Sequence, residues 1–206
     1  MDTKRIGIMG GTFDPIHFGH LVIANEVLDQ YNMEKVIFIP AGNPPHKKGS
    51  KASSFDRYFM TNLAILSNEK FEASNIELMN KEKSYTINTL LELDEIYKDA
   101  EIYFITGADA IIELPNWYEF KRIIKLCKFI AVTRPDYDTA EIERKIQDIK
   151  QKYDGQIEVL KAPMLQISST DIRNRIKNKR TAKYLIPETV EQYILRNNLY
   201  MENDNE

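Results

Sequence analysis

Residues Gly10-Gly11-Thr12-Phe13-Asp14-Pro15-Ile16-His17-Phe18-Gly19-His20 put two adjacent glycines and two histidines into one short connection. Upstream, Arg5–Met9 is an apolar run of strand length; downstream, Leu21, Val22, Ala24, Val27 and Leu28 recur at helical spacing. The connection is therefore a strand-to-helix turn. Gly10 and Gly11 give the main chain conformations closed to other residues and let a ligand approach with no Cβ in the way. Free amides and the positive dipole end of the following helix favour an anion, and phosphate is the obvious guest. His17 and His20 project from nearly the same side of the first helical turn, each offering a donor or a proton near neutral pH.

The commoner phosphate loops are absent. There is no G-x-x-x-x-G-K-[ST], and the glycine spacing does not match G-x-G-x-x-G, which excludes a P-loop kinase and a dinucleotide-binding dehydrogenase. The competing reading of the two histidines is a metal pair completed by His46 or an acid, although no further cluster has zinc-ligand spacing.

Strand-like runs at Arg5–Met9, Lys35–Pro40, Glu101–Thr106, Lys128–Thr133 and Gln156–Lys161 alternate with helical patterns at Ile87–Tyr97 and Ala140–Tyr153. This alternation predicts an α/β fold, a mostly parallel sheet with helices on both faces, whose ligands bind beyond the carboxyl ends of the strands. Gly10–His20, Pro40–Lys48, Gly107–Asp109 and Arg134–Tyr137 then share one edge. The last third, about 166–200, reads as a helical segment with helices at Ser168–Lys179 and Pro187–Asn197, followed by a polar tail over 202–206.

A length of 206 residues at 43% hydrophobic content suits one domain, 1–206, with a sizeable core. A net charge of −3 argues against a nucleic-acid partner. Cys127 is the lone cysteine, inside the apolar run Cys127–Val132, and reads as a buried structural thiol suited to a reducing cytoplasm. The amino terminus leaves no room for a signal peptide and no apolar run approaches bilayer length, so the chain reads as soluble, with no membrane partner.

Ser168-Ser169-Thr170-Asp171 opens a helix with an [ST]-x-x-[DE] pattern. It stands equally as a simple cap and, with Arg173 and Arg175 following, as a second phosphate-facing helix start. Trp117, the single tryptophan, follows Pro115 in a turn-like segment and reads either as a ring available for stacking or as a core aromatic.

His17-Phe18-Gly19-His20, preceded by Gly-Gly-Thr-Phe-Asp-Pro, resembles the signature of the nucleotidyltransferase superfamily, and Ile167–Arg173 resembles the I-S-S-T-x-[IL]-R signature of its adenylyltransferases. Pro44-Pro45-His46-Lys47, Ser84–Leu90, and Gly107-Ala108-Asp109 continuing to Leu114–Tyr118 narrow the resemblance to the bacterial nicotinate-nucleotide adenylyltransferases. It runs from Ile6 to about Tyr200 and departs at Asp136, where the family often has glycine.

The resemblance implies a Rossmann-like nucleotidyltransferase domain that moves AMP from ATP to nicotinate mononucleotide, with Mg²⁺ carried by the ATP phosphates and no protein-bound metal. It implies catalytic roles for His17, His20 and Arg173. It puts ATP against Gly10, Gly11, Thr12 and Phe13, beside Gly107 and Asp109, and under Ser168, Ser169, Thr170 and Arg173. The mononucleotide falls to Gly11, His46, Lys47, Ser84, Tyr85, Thr86, Trp117, Tyr118 and Arg134, with Ser84 and Thr86 suiting a carboxylate better than a carboxamide. His46 and Lys47 stand between closing over the substrates and being merely solvated. Some members are homo-oligomers. The rivals are action on nicotinamide mononucleotide, action on phosphopantetheine, and a nucleotide sensor without turnover.

Overall fold

A computed structural model describes residues 3–43, 50–79, 84–133, 139–163 and 165–201; the expected tail over 202–206, the later part of the expected Pro40–Lys48 edge loop and the whole of the expected Arg134–Tyr137 edge loop lie outside them. Strands β1 (Lys4–Gly11), β2 (Lys35–Pro40), β3 (Phe71–Ala73), β4 (Ala100–Gly107), β5 (Lys128–Thr133) and β6 (Ile157–Lys161) form one sheet in the order β3-β2-β1-β4-β5-β6. Every pairing is parallel. The strand order reverses direction between β1 and β4, and the crevice beyond their carboxyl ends is where such sheets hold ligands.

The helices are α1 (Phe18–Gln30), α2 (Ser54–Ile65), α3 (Thr86–Ile96), α4 (Ala108–Ile112), α5 (Phe120–Leu126), α6 (Thr139–Tyr153), α7 (Ser169–Lys177) and α8 (Glu188–Arg196). Strand side chains alternate between faces, and the alternation sorts the helices into two layers. Met9, Val36, Phe38, Tyr103, Ile105 and Val132 share one core with Ala24 and Val27 of α1, Met60 and Ala64 of α2, Ile172 of α7, and Val190 and Ile194 of α8. On the other face, Ile6, Ile8, Ile37, Ile39, Phe104 and Phe129 meet Ile87 and Leu90 of α3, Ile123 of α5, and Ile142, Ile146 and Ile149 of α6. Spacings of three and four place each helix's apolar residues on one stripe.

The expected strands and helices are present, with shifted ends. β1 runs on through Gly10 and Gly11, so both glycines finish the strand rather than make the turn. Gln156 falls outside β6, and the helices expected at Ile87–Tyr97, Ala140–Tyr153, Ser168–Lys179 and Pro187–Asn197 begin or end one or two residues away. Unforeseen are β3, α2, α4 and α5. Cys127 is buried, its thiol against the Ile123 carbonyl, and burial pushes its pKa up, as a structural thiol requires. No helix among the described residues is long and apolar enough to cross a membrane.

Phe129 is fully buried in the middle of β5 with its ring 5.8 Å from that of Phe104. Phe129→Ala is expected to lower the unfolding free energy by about 3–5 kcal/mol, from lost apolar burial plus the cavity left behind. Urea unfolding measures this, and a loss under about 1 kcal/mol contradicts the assignment of Phe129 to the tightly packed centre.

Candidate active site

The turn after β1 is shaped by Phe13. Its backbone takes a positive φ of 49°, and its ring, only 3% exposed, folds beneath the strand end. A Cβ on Gly11 would lie 2.7 Å from that ring, so glycine is required there for space. Phe13 in turn stands edge-on to the His20 ring, with centroids 5.0 Å apart. The special backbone conformation expected of the glycines thus falls to their neighbour.

His17 caps α1 in an extended conformation, and its carbonyl accepts the His20 N–H at 2.9 Å. The His17 N–H donates to His20 Nδ1 at 3.2 Å. A neutral imidazole that accepts at Nδ1 carries its proton on Nε2, so this bond sets the His20 tautomer. The two rings stack with centroids 3.7 Å apart. A Cβ on Gly19 would come within 3.0 Å of His17 Nδ1, which explains the small residue between the histidines. Burial pulls the His17 pKa down to about 4, so this ring is neutral at pH 7 and does not titrate near neutrality as expected. His17 Nδ1 is buried and has no hydrogen-bond partner among the described residues.

Helix α7 docks on this turn from the far end of the chain. Ser169 Oγ donates to the Pro15 carbonyl at 2.9 Å, and Arg173 Nη1 donates to the Asp14 carbonyl at 2.7 Å. Arg173 Nη2 reaches Thr170 Oγ1 at 3.3 Å. Ser168 is the N-cap, accepting the Asp171 N–H at 3.1 Å, while Arg175 pairs with Asp171.

Three residues that sequence reasoning passed over hold this arrangement. The Asp14 carboxylate, 5% exposed, accepts the Lys51 N–H at 2.8 Å, the Ala52 N–H at 3.1 Å and the Tyr200 hydroxyl at 2.8 Å. Arg57, fully buried on α2, donates to the carbonyls of Thr12 at 2.7 Å and Ala41 at 2.6 Å, with Gly42 at 3.4 Å. The cap signal Ser53-x-x-Asp56, which is realised at 3.1 Å, was available to reveal α2. No local pattern points to Tyr200.

Beyond β2, Ser84 clasps Asn43: its Oγ accepts the Asn43 N–H and its N–H donates to the Asn43 carbonyl, both at 3.1 Å. Glu77 links Thr89 Oγ1 to the Gly42 N–H at 2.8 and 3.3 Å. Tyr85 caps α3, Thr86 is its first residue, and the Tyr85 ring lies 4.7 Å from that of Tyr118, which is exposed. Trp117 is half-buried, packed on the core and edge-on to Phe104 at 6.1 Å. Gly107 ends β4 beside β1, and a Cβ on it would lie 2.4 Å from Asp109 Oδ1, so the carboxylate folds back over the glycine. His46, Lys47 and Arg134 lie outside the described residues.

Among the described residues no group of three or more His, Cys, Asp and Glu side chains is arranged to hold a metal ion. His46, the third ligand that the zinc reading would need, is not among them.

The profile of the cytidylyltransferase-like family matches residues 8–175. A probable nicotinate-nucleotide adenylyltransferase of Thermoanaerobacter sp. (strain X514) is 46% identical over 202 residues, covering 97% of this chain and 96% of that protein. One of the same description from Desulfitobacterium hafniense (strain Y51) is 46% identical over 198 residues, covering 96% of each. Among solved structures, the Plasmodium falciparum nicotinic acid mononucleotide adenylyltransferase complexed with NaAD superposes with a TM-score of 0.77 at 22% identity, covering 96% of this chain and 97% of that one.

Because His17 has a folded-state pKa near 4 against 6.5 for the free side chain, the unfolded chain binds the extra proton between those values. Stability contributed by the neutral ring is therefore fully present above pH 6.5 and lost as pH falls toward 4. The loss is expected to reach about 3 kcal/mol in the wild type. It should be largely missing from His17→Asn, which has no titrating ring at this position. Urea unfolding at stepped pH checks this, and parallel pH profiles for the two proteins contradict it.

Proposed function

Because the chain belongs to the cytidylyltransferase-like family and, within it, to the nicotinate-nucleotide adenylyltransferases, we propose that it transfers AMP from ATP to nicotinate mononucleotide. The products are nicotinate adenine dinucleotide and pyrophosphate, a step of NAD biosynthesis. The observation that carries this reading is the meeting of the two phosphate-facing elements: the Gly10–His20 turn and the start of α7 are hydrogen-bonded through Pro15–Ser169 and Asp14–Arg173.

In this reaction a phosphate oxygen of the mononucleotide attacks the α-phosphorus of ATP in line, and pyrophosphate leaves from the opposite side. The phosphorus–oxygen bond to the β-phosphate breaks as the new one forms, and no protein nucleophile takes part. Catalysis is then positioning plus stabilisation of charge on the transferring oxygens. His20, with its proton on Nε2, supplies a donor to the α-phosphate. His17 acts as a neutral partner, and its unsatisfied Nδ1 makes the pair incomplete without a ligand. Thr12 and Phe13 bend the chain around the phosphates, and Ser168, Ser169, Thr170 and Arg173 close the ATP side, with Gly107 and Asp109 toward the adenosine.

A divalent metal accompanies the triphosphate, and Mg²⁺ suits it because phosphate oxygens and water complete its shell without a protein cage. The nicotinate ring stacks at Trp117 and Tyr118, and its carboxylate faces Ser84, Tyr85 and the first amides of α3 at Thr86, which have no acceptor within their own helix. His46, Lys47 and Arg134 complete the mononucleotide side together with Gly11. The lone buried Cys127 suits a reducing cytoplasm.

Pyrophosphate release from ATP and Mg²⁺ with nicotinate mononucleotide, nicotinamide mononucleotide or phosphopantetheine tests the reading. Release is expected with the first above the other two, whereas release with none indicates a sensor. His20→Ala is expected to cut kcat by roughly 10²–10³, as loss of one transition-state donor does, with modest change in the KM for ATP. Trp117→Ala should instead weaken the mononucleotide by one to two decades, the worth of one stacked ring of about 1–3 kcal/mol. Equal, small effects from both contradict the division of roles.

A further inference from the structure

Among the described residues Arg57 is the largest fully buried side chain, and it sits on α2 behind the site rather than in it. A charged group is kept there only when its surroundings compensate it. Its compensation is specific: three main-chain carbonyls from two different loops, with the Asp14 carboxylate and Glu77 adding favourable electrostatics. Both loops leave adjacent strands, β1 and β2, and the Ala41 N–H bonds the Gly11 carbonyl at 2.8 Å. One guanidinium therefore fixes two neighbouring loops to each other.

The orientation of the Thr12–Phe13 peptide has a further effect. In a trans peptide the C=O and the following N–H point in opposite directions. With the Thr12 carbonyl turned back onto Arg57, the Phe13 N–H points away from it, and that amide has no acceptor among the described residues. On the β2 side the same device turns the Gly42 and Asn43 amides toward Glu77 and Ser84, which hold the start of α3.

We propose that Arg57 is a positioning residue for both substrates, aiming the Phe13 amide at the triphosphate while holding residues 41–43 in register with the mononucleotide side. It touches neither substrate. The inference rests on the reading of the preceding subsection, which assigns these two loops to ATP and nicotinate mononucleotide.

Arg57→Met keeps the length and removes the charge and the fork; Arg57→Lys keeps the charge and one donor position. Met60→Ala, on the same helix and equally buried but apolar, is the control for lost packing. Initial rates varied in both substrates are expected to show KM for ATP and for the mononucleotide rising together by about tenfold or more in Arg57→Met, as expected for a lost charge-assisted bond. Arg57→Lys should recover part of the loss, and Met60→Ala should melt at lower temperature with both KM values unchanged. If the unaltered protein turns over but Arg57 variants shift stability alone, as Met60→Ala does, the inference is overturned and the activity stands. If the unaltered protein releases no pyrophosphate, both fall. Should the Arg57 variants fail to fold, the guanidinium proton resonances of the unaltered protein supply the test. They are expected to shift on addition of α,β-methylene ATP, and unmoved signals overturn the proposal.

Discussion

The buried carboxylate of Asp14 is the constraint on which the rest of the site depends. An ionised carboxylate out of water costs several kcal/mol unless every lone pair finds a donor. Here the donors come from three places: the amides of Lys51 and Ala52, the phenol of Tyr200, and Arg173, whose guanidinium holds the Asp14 carbonyl and lies 3.9 Å from its side chain. Burial and the Asp14 charge together push the Tyr200 hydroxyl well above the usual tyrosine range, so it is a permanent donor. Satisfying one charge thereby gathers the turn after β1, the approach to α2, the start of α7 and the segment after α8 at one point.

Around this knot the groups separate by ionisation. The cations that hold the loops, Arg57 and Arg173, bind main-chain carbonyls, while the ring nearest the turn, His17, is driven neutral by its burial. The fixed charge is placed instead behind the loop, in the fold, where it organises amides. The same arrangement explains why small residues recur here: Gly11 yields to the Phe13 ring and Gly19 to the His17 ring, both in the service of aromatic packing under the turn.

Much of this was legible in the amino-acid order. The apolar runs of β1, β2, β4, β5 and β6 announce a parallel sheet, and the two signature segments at Gly10–His20 and Ile167–Arg173 are joined in space. α2 was missed because its buried residues, Arg57, Met60, Thr61, Ala64 and Ile65, include a cation and a hydroxyl that break the apolar stripe. β3 is three residues long and pairs on one side only, too short for a period to register. The pairing of Asp14 with Tyr200 spans 186 positions and depends on tertiary packing alone, which no window reads. The ionisation of His17 was misjudged for the same reason, since burial is a property of the assembled fold.

That long span carries a consequence for the order in which the molecule is made. On the ribosome, the turn holding Asp14 emerges 186 residues ahead of Tyr200, and its carboxylate gains that donor only when position 200 has cleared the exit tunnel. Until then a nascent chain carries an ion without its full set of partners, and the turn after β1 must wait for the far end of this span before its shape is fixed.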